Sequence, residues 1–229
     1  MACSGAIAAA GIALVLASAE PVRFATEAPF PPYSFVDAQG TITGLERDVA
    51  DEVCRRANLT CEWQNVQFDR LIPGVMSGEF DVVLGGLAVT PDRMALVDFT
   101  LHYNKAEEVD QLYGKTGAPA PDQARVGVQS GTIQEAHARD LGWQVTSYGT
   151  PAAVIAALKA GSVDLAFGSF DAEIAAEPTL FALYQEDVPD LGTAMAVCRG
   201  NTALLDPINA ALQSMIDDGT IDEFTARWL

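Results

Sequence analysis

Three observations predict an α/β fold built from two similar units. A helix–glycine–strand segment occurs twice, short apolar runs alternate with amphipathic helical stretches, and the strand runs end in loops of small residues. Leu71–Gly86, LIPGVMSGEFDVVLGG, aligns without gaps on Val154–Ser169, VIAALKAGSVDLAFGS. Both copies pass from an apolar helix through a small–Gly pair (Ser77-Gly78, Ala160-Gly161) to a strand opening on Asp81 or Asp164. Any α/β protein has helix–Gly–strand units. Here the Gly, the Asp and the strand end keep one offset, which favours a repeat.

The elements follow in order. Residues 1–19 hold no charged side chain, and the apolar part, Ala6–Leu16, is too short to span a bilayer. It ends in Ala17-Ser18-Ala19, so a cleavable secretory signal peptide is predicted. Val22–Thr26 reads as a strand entering the proline-stiffened aromatic loop 27–33. Leu45, Val49, Val53 and Ala57 recur four apart and predict an amphipathic helix, followed by a strand over Thr60–Val66. Asp69 is expected to cap a helix that Gly78 stops, and Phe80–Leu84 has the continuous apolar run of a strand covered on both faces. Thr90-Pro91 is a helix start, N-cap then proline, and places Arg93 in the first turn. A cation there opposes the helix dipole, so a negative partner is expected.

Glu107–Gly114 reads as an extended crossover and Arg125–Gln129 as a strand. Thr132-x-x-Glu135 has the form of a capping box, whose helix N-terminus can take an anion. A strand over Trp143–Ser147, a helix from Thr150-Pro151 to Gly161 and a strand over Val163–Phe167 complete the second unit. The strand Ala194–Val197 and helices Thr202–Asp218 and Ile221–Leu229 close the chain. In open α/β sheets ligands bind beyond the carboxyl ends of strands. That selects the loops 27–33, 85–93, 130–134 and 168–171, two per unit, with 107–114 and 187–193 as paired crossings and hinge closure as the expected motion.

Composition narrows the partners. With 49% hydrophobic and 19% charged residues the chain can bury a sizeable core. Its net charge of −18 argues against nucleic acid and anionic membrane, which select Lys/Arg surfaces. His102 and His137 have no Cys or His neighbour at zinc spacing, so no metal and no cofactor is expected. Cys54 near a helix end and Cys61 near a strand start are either two buried thiols or one disulfide. Export favours the disulfide and leaves Cys198 as a buried free thiol.

The chain from Val22 to Leu229 resembles the bacterial extracellular solute-binding proteins of family 3, the amino-acid receptors of ABC importers. The matching landmarks are Phe30-Pro31-Pro32-Tyr33, Phe68-Asp69-Arg70-Leu71-Ile72-Pro73, Thr90-Pro91-Asp92-Arg93 with Val97-Asp98-Phe99-Thr100, Val126-Gly127-Val128-Gln129-Ser130-Gly131-Thr132, and Asp218-Gly219-Thr220 before Arg227-Trp228. Each is weak alone; their order and spacing make the signal. Cys54 and Cys61 also fall where the histidine-type receptors carry a disulfide.

The resemblance implies a two-lobed periplasmic-binding-protein type 2 fold. Each lobe would be a mostly parallel sheet flanked by helices: residues 20–106 with 193–229, and residues 107–192. It implies a site for a small carboxylate. Arg93 falls on the carboxylate-binding arginine, where a planar guanidinium suits bidentate hydrogen bonds. Phe30 and Phe68 fall on the stacking aromatics, and Glu27 on the acid that reads the solute's side chain. Gln129, Thr132, Ile133 and Gln134 belong to the second-lobe anion loop. The chain departs from the family at Gly85, Gly86 and Ala88, which lack its usual hydroxyls, at Ile133, and at Ser169, where the acid for an α-ammonium is expected. The implied function is a monomeric periplasmic receptor, without catalysis, that serves an ABC permease. A dehydratase-like enzyme on prephenate or arogenate, with Glu27 or Asp171 as acid, and a ligand-sensing orphan receptor are the rival readings.

Overall fold

The computed structural model describes residues 20–104 and 110–229. The predicted signal peptide and residues 107–109 of the expected crossover lie outside them. The chain opens with β1 (Val22–Thr26), the short strands β2 (Phe35–Val36) and β3 (Ile42–Thr43), α1 (Leu45–Arg56) and β4 (Cys61–Asn65). A 3-10 turn (Phe68–Arg70) leads into α2 (Leu71–Ser77), β5 (Val82–Val83), α3 (Pro91–Met94) and β6 (Val97–Phe99). Next come β7 (Asp110–Gly114), β8 (Arg125–Gln129), α4 (Ile133–Asp140), β9 (Gln144–Tyr148) and α5 (Pro151–Ala160). The chain ends with β10 (Leu165–Phe167), α6 (Asp171–Ile174), β11 (Phe181–Glu186), β12 (Ala196–Cys198), α7 (Thr202–Asp217) and α8 (Thr220–Trp228).

Two compact units result. One holds the residues up to Val66, Leu71–Asn104 and Thr193–Leu229; the other holds Gln67–Arg70 and Lys105–Gly192. The 3-10 turn thus groups with the second unit. Asp69 sits inside that turn and does not take the expected place as cap of α2.

Each unit has a five-stranded sheet, in the orders β4-β1-β5-β12-β6 and β11-β7-β10-β8-β9. The sheets are mixed but mostly parallel, as expected: in each, four of the five strands share one direction and one is reversed. β1 runs parallel to β4 and β5, whereas β12 is antiparallel to β5 and β6. In the second sheet β8 is parallel to β9 and β10, whereas β7 is antiparallel to β10 and β11. The reason is connectivity: β7 and β12 are the strands by which the chain enters each unit from the other, and each inserts against the local direction. Residues 110–114 are accordingly a sheet strand, which corrects their assignment to a crossover.

The repeat holds in atomic detail. Gly78 and Gly161 end their helices in the left-handed region, at φ 77° and 73°, where a side chain would be strained. Arg23 of β1 donates to Asp81 from its backbone N, Nε and Nη2, at 2.8–2.9 Å. Arg125 of β8 makes the same set of bonds to Asp164, at 2.6–3.0 Å. Each Nη2 also bonds a helix-end carbonyl, Gly78 or Gly161. The arginine stands one residue before the first residue that β1 pairs with β5, or β8 with β10, and the Asp one residue before that residue's partner: Phe24 pairs with Val82, and Val126 with Leu165.

Packing follows the sequence periods. In the first unit Leu45, Val49 and Val53 of α1 bury against Phe24, Val82, Val197, Ile208 and Leu212. The second sheet is covered on both faces. Val126, Val128, Leu165 and Phe167 point to one face, and Ala166, Tyr113 and the α5 residues Val154 and Leu158 form the other. Each fully buried side chain of this size contributes about 1.5–3 kcal/mol.

Cys54 and Cys61 form a disulfide that closes α1 onto β4. Cys198 is disulfide-bonded in the uncleaved chain, whereas the expected free thiol belongs to the chain after leader cleavage. That expectation rested on counting: an odd number of cysteines after cleavage leaves one over. Replacing both Cys54 and Cys61 by Ser should lower unfolding stability by about 2.5 kcal/mol, as expected for so short a loop, in a urea titration. A shift under a quarter of that would mean the bridge closes nothing the helix–strand corner does not already hold.

Candidate functional site

The first unit brings its predicted residues to the carboxyl ends of β1 and β5. Glu27 follows β1 directly and is buried, at 6% exposure. Phe30 is pinned by reciprocal backbone bonds with Ser34 and stacks on Tyr33, with ring centroids 5.0 Å apart. Gly86 lies against this ring. A Cβ on Gly86 would come 2.7 Å from Phe30 Cε1, and its φ of 61° already strains any other residue. Gly86 therefore has a steric role: it lets the turn approach the aromatic.

Arg93 is buried, at 9% exposure, and donates from Nη1 to the Ala88 carbonyl at 2.7 Å. Thr90 caps α3 through Arg93 N. That helix has one turn, so its dipole is small. The negative partner expected from the dipole is in part the Ala88 carbonyl. A guanidinium has five donors in one plane, and this bond orients the plane.

The second unit places its residues around the N-terminus of α4 and the end of β10. Thr132 caps α4, accepting from Glu135 N at 3.2 Å, and its hydroxyl donates to the Gln129 carbonyl at 2.8 Å. Its proton is thus committed inside the loop, and the N–H groups of the first turn are what α4 can present to an anion. Glu135 does not close the expected capping box on Thr132. It accepts from Gly131 N at 2.7 Å, because the loop turns through Gly131 at φ 80°. Burial pushes the Glu135 carboxyl up, but the Ser147 hydroxyl, the Gly131 N–H and Arg139 outweigh it and hold it below the usual range. Gln134 Nε2 donates to Asp110 at 2.6 Å, and Ile133 is half-buried. Phe68, also half-buried, lies on the 3-10 turn that groups with this unit.

Ser169 is exposed at the end of β10. Asp171, two residues on, accepts from the Tyr113 hydroxyl at 2.6 Å. This phenol, from the neighbouring strand β7, turns the nearest acid towards the body of its own unit. Sequence reasoning missed Tyr113 and also Glu46, a buried acid on α1 that accepts from Gly86 N at 2.7 Å. A signal was present for Glu46: residues 46, 50 and 53 share one helical face, and Ala50 and Val53 are apolar.

The comparisons with known proteins agree in class. The family model described as bacterial extracellular solute-binding proteins, family 3, matches residues 22–229. The putative ABC transporter arginine-binding protein 2 of Escherichia coli (strain K12) is 32% identical over 241 residues, covering 96% of this chain and 95% of its own. The lysine/arginine/ornithine-binding periplasmic protein of the same strain is 29% identical, over 91% of this chain and 87% of its own. Among solved structures, a periplasmic His/Glu/Gln/Arg/opine family-binding protein from Silicibacter pomeroyi in complex with lysine is similar, with TM-score 0.82 and 31% identity, over 90% of this chain and 96% of that one. With the match running from β1 to the last residue, this chain belongs to the bacterial extracellular solute-binding proteins of family 3.

Proposed function

We propose that the protein is a periplasmic receptor that captures a small amino-acid-like carboxylate and delivers it to an ABC import permease, with residues 1–19 as its export leader. The observation that carries this is Arg93, a buried guanidinium oriented by the Ala88 carbonyl in the loop beyond β5, in a chain of this family. Arg93 takes the solute's carboxylate, and in the second unit the first-turn N–H groups of α4 are a further group able to bind an anion. Phe30 and Phe68 cover the solute's apolar part, with Gly85, Gly86 and Ala88 shaping the wall. Gln129, Thr132, Ile133 and Gln134 build the second-unit loop. No step of chemistry is needed; relatives named for arginine, lysine and ornithine are binding proteins.

The solute's cationic end meets Glu27. This acid is buried directly after β1, at the position where the resemblance places the acid that reads the solute's side chain. The second unit offers an exposed Ser169 where an acid would meet an α-ammonium, and Asp171 is taken by Tyr113. Selection therefore rests on the carboxylate and the distal cation, and only weakly on the α-amine.

A thermal-shift screen over basic amino acids, opines, betaines and keto acids identifies the solute through a raised Tm. Arg93→Ala should then abolish its binding in calorimetry while the circular dichroism of the protein is unchanged; retained affinity would refute Arg93 as anchor. Ser169→Asp should tighten plain α-amino acids by about ten- to a hundredfold, the range for one added charge-assisted bond. No gain for any α-amino acid would show that Ser169 does not stand at the amine.

A further inference from the structure

Glu46 is the one acid in the described residues that combines full burial with an unsatisfied oxygen. Its side chain is 1% exposed. Oε1 accepts from the Gly86 N–H at 2.7 Å and from the Tyr103 hydroxyl in a short bond. Oε2 has no hydrogen-bond partner. The carboxyl thus joins three places far apart in sequence: the first turn of α1, the Gly85–Gly86 turn, and Tyr103.

Tyr103 stands where the chain leaves the first unit. Its backbone N donates to the Thr193 carbonyl at 3.2 Å, and Thr193 N donates to the Asn104 carbonyl at 2.9 Å. Thr193 also bridges Ala88, and Ala194 N donates to the Leu87 carbonyl at 3.3 Å. The loop beyond β5 and both chain crossings therefore form one hydrogen-bonded ring, with Glu46 closing it on the buried side.

We propose that Glu46 is the positioning residue of the first-unit half-site: its Oε1 holds the Gly86 N–H and the Tyr103 hydroxyl together, and so sets the turn against Phe30 and ties it to the crossings. This rests on the reading that the Gly85–Ala88 turn contacts the solute. A neutral carboxyl suits the geometry, since an ionised one would leave charge on an oxygen with no donor. The groups that face it are the Tyr103 hydroxyl and the N–H groups of Gly85 and Gly86, with Tyr33 beyond Tyr103; none carries a positive charge. Burial pushes the Glu46 carboxyl up, and the bonds from Tyr103 and Gly86 only partly offset it. Below the ordinary value of 4.5 the group is neutral in folded and unfolded chain alike. As pH rises from there through the raised folded value, the folded chain keeps a proton the unfolded one has lost, and stability falls. Glu46→Gln keeps both hydrogen bonds and removes this slope.

The test is amide hydrogen exchange of the full chain without solute, comparing the wild type with Glu46→Gln and Glu46→Ala. Glu46→Ala should speed exchange over 84–89 by about tenfold, the loss of one buried hydrogen bond, and Glu46→Gln should not. The wild type should also lose Tm relative to Glu46→Gln as pH is raised above 4.5. Unchanged exchange in Glu46→Ala, or a Tm difference flat with pH, overturns the proposal. If Glu46→Ala does not fold, Tyr103→Phe carries the test: loosening the carboxyl should raise exchange over 84–89, and no rise overturns it. L-arginine affinity is the second arm. Glu46→Ala should weaken it about tenfold with Glu46→Gln restoring it, and faster exchange with unchanged affinity overturns the link to the half-site. Should the wild type bind no L-arginine, the basic-solute reading fails, and the exchange and pH arms still decide on Glu46.

Discussion

The arginine–aspartate fork that joins β1 to β5 in one unit and β8 to β10 in the other is the constraint on which the geometry of the strand-end loops depends. Arg23–Asp81 and Arg125–Asp164 tie the parallel pairs β1/β5 and β8/β10 at equivalent positions. A slip of one residue would turn every inward side chain outward. The pairs are partly exposed, and exposed ion pairs add little to stability. Their consequence is register. Three donors from one arginine, including its own backbone N–H, admit one alignment of the two strands. That alignment makes Gly85 and Gly168 emerge at matching strand ends, both at φ 146°.

A different physics governs the loop beyond β5. There the decisive groups are buried: Arg93 on the Ala88 carbonyl, and Glu46 on Gly86 and Tyr103. Burial makes such bonds hard to exchange for water, so they hold a turn that contains two glycines. Gly86 allows the backbone to meet the Phe30 ring, and the buried acid that accepts from its N–H holds the turn in place. The loop before α4 solves the same problem with a Thr132 cap and Glu135 on Gly131. The two loops are thus similar in topology and unlike in the chemistry that orders them.

Much of this was legible in residue order. The helices α1, α5, α7 and α8 follow from apolar spacing, caps and terminal glycines, and the repeat from one shared offset. The short strands β2, β3, β6 and β11 escaped notice, because two or three residues, or an exposed edge strand such as β11, carry no clear period. Mixed sheet direction was not legible either, since the direction in which β7 and β12 insert depends on where the chain returns from.

By itself the sequence determined the α/β class, the family and the candidate arginine, which follow from local patterns and the order of motifs; it left the Cys54–Cys61 bridge a preference that the structure decided. Only the tertiary structure decided the partners of the polar groups. It paired Arg23 with Asp81, gave Asp171 to Tyr113, committed the Thr132 hydroxyl to Gln129, and set Glu46 beneath the glycine turn. The physical reason is range. Apolar periodicity is a property of neighbouring residues, whereas a buried hydrogen bond joins groups that meet only once the sheets have formed.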